Sequence, residues 1–356
     1  MKDYGEELKE LILTVAKEQA SDLHLTAGRY PTLRIAGELV PLVKRQVLTP
    51  EDTKGLAFAM LDEKSQAKFL EERELDFSYS FEDKVRFRVN IFHERGFMAA
   101  ALRLVPVEIM TLKELNLPEI IKSFTQKEQG FFLVVGPTGH GKTTTLASLI
   151  DIINKTRAEH IITIEDPIEY LFTSDKSIIV QREVGPDTDD FHKALRSMFR
   201  EDVNVGMIGE MRDHETISAA VTAAETGHLI MSSLHTNNAA QTIDRIIDSF
   251  PGGQQNQIRS QLSSSLLGIF SQRLIPRVSG GLIPAYELMI ATTAVKNLIR
   301  ENKVHELDLI IETSSEQGMI SLNQSLVDLI KQGEITYENA LAFSLNSREL
   351  QALLGR

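Results

Sequence analysis

The chain has 356 residues, no cysteine, no tryptophan and a formal net charge of −12 at pH 7. That length points to two domains, because single cores stop growing near roughly 250–300 residues. The composition, 42% hydrophobic and 25% charged, is that of an ordinary globular protein; it excludes structural disulfides, cysteine zinc sites and any global attraction to nucleic acid.

The N-terminus, MKDYGEELKELILTVAKEQ, is acidic and amphipathic and lacks the regions of a signal peptide. No apolar run approaches the ~18 residues of a membrane span. A cytoplasmic protein is the expectation. Residues 4–19 set Leu8, Leu11, Ile12 and Val15 at helical spacing, a packing face. SDLHLTAG follows, with His24 between Leu23 and Leu25. TLRIAGELVPL reads as a hairpin turning at Ala36-Gly37. Thr49 and Pro50 open a helix as N-cap and first residue, running to about Glu72 with an interruption near Asp62.

Three strand-like runs come next, Leu75–Phe81, Lys84–His93 and Phe97–Val105. The second alternates: Val85, Phe87, Val89 and Ile91 share one face, and Arg86, Arg88 and Asn90 the other. Arg103 lies on the third. On composition alone, these arginines are either a solvated face or a functional one. Together the elements make a small α+β domain over residues 1–105. Residues 106–118, bounded by Pro106 and Pro118, read as an interdomain linker.

From Glu119 onward strands and helices alternate, the mark of an α/β domain with a mostly parallel sheet. Its centre is FFLVVGPTGHGKTTTLASLIDII. The run Phe131–Val135 reads as a buried strand, and Leu146, Leu149, Ile150 and Ile153 as one helical face. Between them Gly136, Pro137, Thr138, Gly139, His140, Gly141, Lys142, Thr143 and Thr144 carry G-x-x-x-x-G-K-[ST]. In that motif the glycines let backbone N–H groups cradle a phosphate chain at a helix N-terminus. The lysine reaches the β- and γ-phosphates, and the hydroxyl of Thr143 can take one Mg²⁺ position.

HIITIEDPIEY ends a buried strand in Glu165, Asp166 and Glu169, where open α/β sheets bind ligands. Work on a water or metal and a charged, capped loop both fit these acids. Phe191–Arg200 is a helix with Arg196 and Arg200 on one face. VNVGMIGEMRD ends a second strand in Glu210 and Arg212, as a Mg²⁺-bound triphosphate requires. His228 precedes a further strand and His235 ends it; polar contact near the nucleotide is the preferred reading of both. Ile243–Pro276 reads as helix, Pro-Gly-Gly break and longer helix. A short strand, Ala285–Ile290, and several helices complete the chain. One of them, Ala294–Asn302, puts Lys296 and Arg300 on one face, a candidate docking surface.

These motifs, in this order, resemble the PilT-type ATPases, retraction motors of type IV pili within the secretion-ATPase superfamily of P-loop proteins. GPTGHGKTTT is similar to the family's Walker A, TIEDPIE to its Asp box, MIGEMRD to its Walker B and TGHLIMSSLHTNNA to its His box. SDLHLTAG resembles the start of its PAS-like N-terminal domain, and AVKNLIRE its retraction element. His140 and Thr143 depart from the usual GSGKS, and VNVGMIGE lacks an acid usual before the strand.

The resemblance implies an α/β fold with a RecA-like P-loop C-terminal domain, residues 119–356, carrying a helical C-terminal portion. It implies a homohexamer using ATP and Mg²⁺, docked on a PilC-like inner-membrane platform protein, with a PilU-like paralogue as a further partner and no nucleic acid. Glu165 would polarise the attacking water, and Glu210 would hold Mg²⁺ with Thr143. His228 would sense the nucleotide. Arg88 and Arg103 would reach phosphates bound by a neighbour. Extension ATPases of the PilB or type II secretion kind share the core motifs but usually carry a tetracysteine zinc element. An accessory PilU-like ring subunit, a type IV secretion traffic ATPase and a DNA translocase are the other rivals.

Overall fold

The computed structural model describes residues 2–35, 37–81, 85–106 and 108–355. Contacts within the chain divide it into two compact units, Met1–Val107 and Glu108–Arg356. Met1, Ala36, Lys84, Val107 and Arg356 lie outside the described residues. The expected turn at Ala36, strand start at Lys84, linker position Val107 and outer domain limits fall there.

The first unit runs α1 (Tyr4–Lys17), β1 (Asp22–Leu25), β2 (Thr32–Ile35), β3 (Glu38–Pro41), α2 (Pro50–Phe58), α3 (Glu63–Glu72), β4 (Glu74–Phe81), β5 (Val85–Glu94) and β6 (Phe97–Val105). Its six strands form one antiparallel sheet in the order β3-β2-β1-β6-β5-β4. Asp3 caps α1 by accepting from the Gly5 and Glu6 N–H groups, and Leu8, Leu11, Ile12 and Val15 bury its inner face. Thr49 and Asp52 cap α2 reciprocally, satisfying two otherwise orphaned donors. The interruption near Asp62 is a second N-cap: its side chain accepts from Ser65 N–H and starts α3. On β5, Phe87, Val89 and Ile91 face the core, while Arg88 is exposed on the other side.

The second unit opens with a 3-10 helix, Glu119–Gln126, then β7 (Gly130–Val135), α4 (Lys142–Thr156), β8 (His160–Glu165), β9 (Ile178–Glu183), α5 (Phe191–Met198), β10 (Val205–Ile208), α6 (His214–Glu225) and β11 (Leu229–Leu234). It continues through α7 (Ala239–Asp248), α8 (Gly252–Ser265), β12 (Leu266–Pro276), β13 (Leu282–Ile290) and α9 (Thr293–Arg300). Four short helices finish it: α10 (Leu307–Thr313), α11 (Leu322–Lys331), α12 (Tyr337–Phe343) and α13 (Ser347–Leu353). The sheet order is β13-β12-β7-β11-β10-β8-β9, parallel throughout except for β13 at the edge. Helices cover both faces, so β7, β10 and β11 are buried along their whole length and read as unbroken apolar runs.

One expectation changes, and one strand is new. The longer helix expected to reach Pro276 stops at Ser265, and LLGIFSQRLIP is the strand β12. A strand buried on both faces has no alternation, so its apolar run merges with the preceding helix. Gly268 makes the strand feasible: a Cβ there would sit 2.8 Å from the Met289 carbonyl oxygen. The edge strand β9 had no counterpart in the sequence reading. Within residues 108–118, Leu112 and Leu117 are buried in the core of the second unit.

Candidate active site

Four parallel strands, β7, β8, β10 and β11, end on one edge of the seven-stranded sheet, and each delivers a polar group there. β7 runs straight into the phosphate loop, whose turn needs glycine at two positions in particular. Gly136 has φ +145°, and a Cβ on it would lie 2.4 Å from the Gln272 carbonyl oxygen. Gly141 has φ +78° and serves as the N-cap of α4, with no side chain to close the helix end. The first N–H groups of a 15-residue helix are therefore open toward an anion.

Lys142 opens α4 and is only 7% exposed. Its Nζ donates to the carbonyl oxygens of Gly136 (2.9 Å) and Pro137 (3.0 Å). Burial lowers its pKa, and the charges of Glu210 and Glu169 oppose that without cancelling it. Nζ also donates to Nδ1 of His235 at 3.2 Å. An ammonium can only donate, so His235 Nδ1 is the acceptor and its proton sits on Nε2. That N–H faces Oε1 of Glu210 at 3.3 Å, and Thr138 Oγ1 lies 3.1 Å from Nδ1. His235 thus bridges the loop lysine to the acid after β10.

Glu210 lies between His235 and Arg212, whose Nη2 donates to Oε2 at 3.1 Å. Burial raises the pKa of Glu210, but the bond and charge of Arg212 and the neighbouring His235 outweigh it, and the net shift is down. Arg212 also reaches Asp166 at 3.7 Å, joining the two acidic strand ends. Glu165 is different. It is 3% exposed, and burial pushes its carboxyl up to about 7 against the bonds it accepts. Those come from the Thr163 hydroxyl (2.6 Å), Gln181 Nε2 (3.3 Å) and the Glu169 N–H (3.4 Å).

Of the loop's hydroxyls, Thr143 is half-buried in the first turn of α4, where the motif expects a metal-binding oxygen. Thr144 pairs with the Tyr170 hydroxyl at 2.9 Å, tying α4 to the segment after Glu165. Thr145 donates to Gln272 Oε1 at 2.7 Å. The donor set fits a polyphosphate with a hard cation: a buried lysine, an uncapped helix end, a hydroxyl and an ionised carboxylate at one sheet edge.

The two histidines part company. His228 precedes β11 and stands at the opposite end of that strand from the loop. Its carbonyl accepts from Gly130 N–H at the start of β7, and its Nδ1 meets the Ala223 carbonyl at 3.0 Å. Polar contact at this chain's phosphate loop therefore belongs to His235, not His228. The polarity rule that singled out Glu165 and Glu210 would have made the same choice, because His235 ends its strand. Gln272 carries no such signal: the apolar run of β12 merges with the preceding helix, so nothing in the sequence aims it at the loop.

In the first unit, Arg88 and Arg103 face each other across β5 and β6 in register. Arg103 Nε donates to Asp22 Oδ1 at 2.8 Å while its side chain stays 71% exposed. The Asp22 carboxyl is held below its usual range; burial, which would raise it, is outweighed by the Ser21 hydroxyl and Arg103.

The family model for type II/IV secretion system proteins matches residues 5–283. The chain is 44% identical over 337 residues to the type IV pilus retraction ATPase PilT of Pseudomonas aeruginosa, covering 94% of this chain and 97% of that one. It is 40% identical over 349 residues to the type IV pilus ATPase PilU of the same organism, covering 98% and 91%. A crystal structure of the pilus retraction motor PilT with bound ADP superposes with a TM-score of 0.90 at 49% identity, covering 96% and 98%. By family match, near-full-length identity and superposition, the chain belongs to the type II/IV secretion system protein family, as a PilT-type member.

Proposed function

We propose that this chain is a hexameric ATPase motor that hydrolyses ATP to power type IV pilus retraction and twitching motility. The observation that carries the reading is near-full-length identity of 44% to a pilus retraction ATPase. The proposed organisation is a PAS-like domain over 1–105, a connector over 106–118 and a RecA-like domain over 119–356. The proposed setting is cytoplasmic, at the inner-membrane pilus machine, on a PilC-like platform protein and beside a PilU-like paralogue, without nucleic acid. No helix among the described residues is long and apolar enough to cross a membrane.

The reaction is in-line attack of water on the γ-phosphoryl group, where catalysis is mostly positioning and neutralising charge. Mg²⁺, when bound with ATP, offsets phosphate charge. The Thr143 hydroxyl and, through water, Glu210 would hold it. The loop from Gly136 to Gly141 cradles the phosphates, and Lys142 draws charge toward the β/γ oxygens. Two acids at one edge with pKa values driven apart support a division of labour. Glu210, held low, stays ionised and suits a cation. Glu165, raised to about 7, suits a group that takes a proton from water. Arg88 and Arg103 are proposed to act on a neighbouring subunit's phosphates, and His228 to report nucleotide state at an interface.

Phosphate release by the purified protein, with gene deletion scored for surface pili and twitching, tests the reading. Steady ATP turnover and hyperpiliated, non-motile cells are expected. Bald cells would mean extension. Nucleotide binding without turnover would mean an accessory PilU-like subunit. DNA-stimulated turnover would mean a translocase.

A further inference from the structure

The phosphate loop is pressed against β12, the neighbour of β7 on the side away from β11. Ser271 is paired with Val135, so Gln272 to Pro276 run on beyond the end of β7, beside the loop. Two close approaches and three hydrogen bonds join this stretch to the loop and the start of α4. A Cβ on Gly136 would collide with the Gln272 carbonyl at 2.4 Å, and one on Gly141 would come within 3.1 Å of Gln272 Nε2. Gln272 Nε2 donates to the His140 carbonyl at 2.6 Å, while its Oε1 accepts from the Thr145 hydroxyl. The Leu274 N–H donates to Nδ1 of His140 at 2.8 Å.

A backbone N–H has no acceptor capacity, so the last bond fixes the imidazole: Nδ1 accepts and the proton is on Nε2. We propose that His140 is a positioning residue for the nucleotide, a neutral, Nε2-protonated imidazole that ties the phosphate loop to β12 and holds it in its binding shape. The role rests on the ATPase reading above and deepens it. A protonated ring would set an N–H at Nδ1 against the N–H of Leu274, two donors face to face, and the tie would open.

The surroundings keep the ring neutral. Burial lowers its pKa below the usual histidine value, and the charges of Arg273 on β12 and Lys142 on α4 lower it further. From α12 the ring meets the edge of Phe343, at 6.3 Å between centroids. β12 is tied in turn to the C-terminal helices. Asn339 of α12 donates to the Pro276 carbonyl at the end of β12, so a shift of that strand reaches both.

The test is ADP binding by calorimetry from pH 5.5 to 8.5 for the parent, His140→Asn and His140→Gln. The Asn carbonyl oxygen falls near the place of Nδ1, whereas the longer Gln carries it to the place of Nε2. We expect Asn to bind within about threefold of the parent at pH 8, and Gln roughly tenfold more weakly, because the loop must then be ordered by the ligand. Toward the acid end of that range, below the usual histidine value, the parent should weaken toward Gln, while Asn follows only ADP's own titration, common to all three. Equal affinity of Asn and Gln would overturn the role. So would a parent that binds more tightly in acid than Asn, which would make the ring a charged phosphate contact. If Gln fails to fold, the parent and Asn profiles decide by themselves. A parent that binds no ADP at any pH removes the nucleotide reading and this role with it, whereas binding indifferent to all three residues removes this role alone.

Discussion

The carboxyl edge of the seven-stranded sheet and the polar face of the six-stranded sheet are both rich in charge, but they hold it in opposite ways. At the first, Lys142 is 7% exposed and locked to two carbonyls and His235, and Glu210 is pinned between His235 and Arg212. At the second, Arg88 is exposed and Arg103 keeps 71% of its side chain in water despite its bond to Asp22. Charges in low dielectric act strongly over a few ångströms, whereas solvated ones act weakly until another surface desolvates them. The first region is thus assembled within one chain. The second has effect only when something covers it.

The largest expected effect breaks the first region. Lys142→Ala should lower ATP turnover by at least about a thousandfold while thermal unfolding stays near that of the parent, since the lost group positions phosphate charge. Near-parental phosphate release would remove the phosphate-loop assignment.

Next comes the second region. Arginines inserted into a neighbour's site are worth about 10³–10⁵ in rate in other P-loop enzymes. Arg88→Ala should therefore lose turnover yet still bind ATP, and parental turnover per subunit should rise with protein concentration. Mixing Arg88→Ala with Lys142→Ala subunits should recover part of the activity, because some interfaces then pair an intact loop with an intact arginine. Arg88 is the cleaner probe, since Arg103→Ala also strips Asp22 of its nearest cation. Parental turnover in Arg88→Ala, with no concentration dependence, leaves that face merely solvated.

Within the first region, Glu165→Gln and Glu210→Gln should separate. Glu165→Gln should bind Mg²⁺-ATP with parental affinity and slow hydrolysis by roughly a hundredfold, since an amide takes no proton from water. Glu210→Gln should raise the Mg²⁺ concentration needed for half-maximal turnover. Exchanged phenotypes would exchange the two roles.

How far the sequence reached follows the same divide. The loop from Gly136 to Thr144 was legible because its glycines, lysine and hydroxyl are local requirements of one turn. Glu165 and Glu210 were legible because both close buried parallel strands. His235 was underrated because two histidines seven apart look alike until strand direction separates them. Gln272 and the partner of His140 were invisible, because β12 crosses to the loop from more than a hundred residues away. The alternation of β5 showed that Arg88 faces away from the core. No pattern in one chain shows what would cover it.

The smallest effect is a control on Glu165. Glu287, on β13, is a second buried carboxyl raised to about 7, mainly by burial; Asp308 and Glu349 add to the rise, and the Ala239 N–H and Arg273 oppose it. A carboxyl whose folded pKa lies above its unfolded value stabilises the protein fully below the unfolded value, and that stability is lost as pH rises through the folded one. Ionising Glu287 should thus cost stability between about pH 4.5 and 7, by about 3 kcal/mol at most. Glu287→Gln cannot ionise, and its carbonyl can still accept from Ala239. Its added N–H₂ needs a partner, so the absolute stability is not the readout. The slope is: urea midpoints of variant minus parent should increase from pH 5 to pH 8. Turnover in Glu287→Gln should keep the parental pH profile, while a Glu165 that acts on water should lose its acid limb near pH 7 when changed to Gln. A flat difference in midpoints would mean that Glu287 titrates in its ordinary range. A turnover profile moved equally by both substitutions would mean that the pH dependence belongs to the fold rather than to the attacking water.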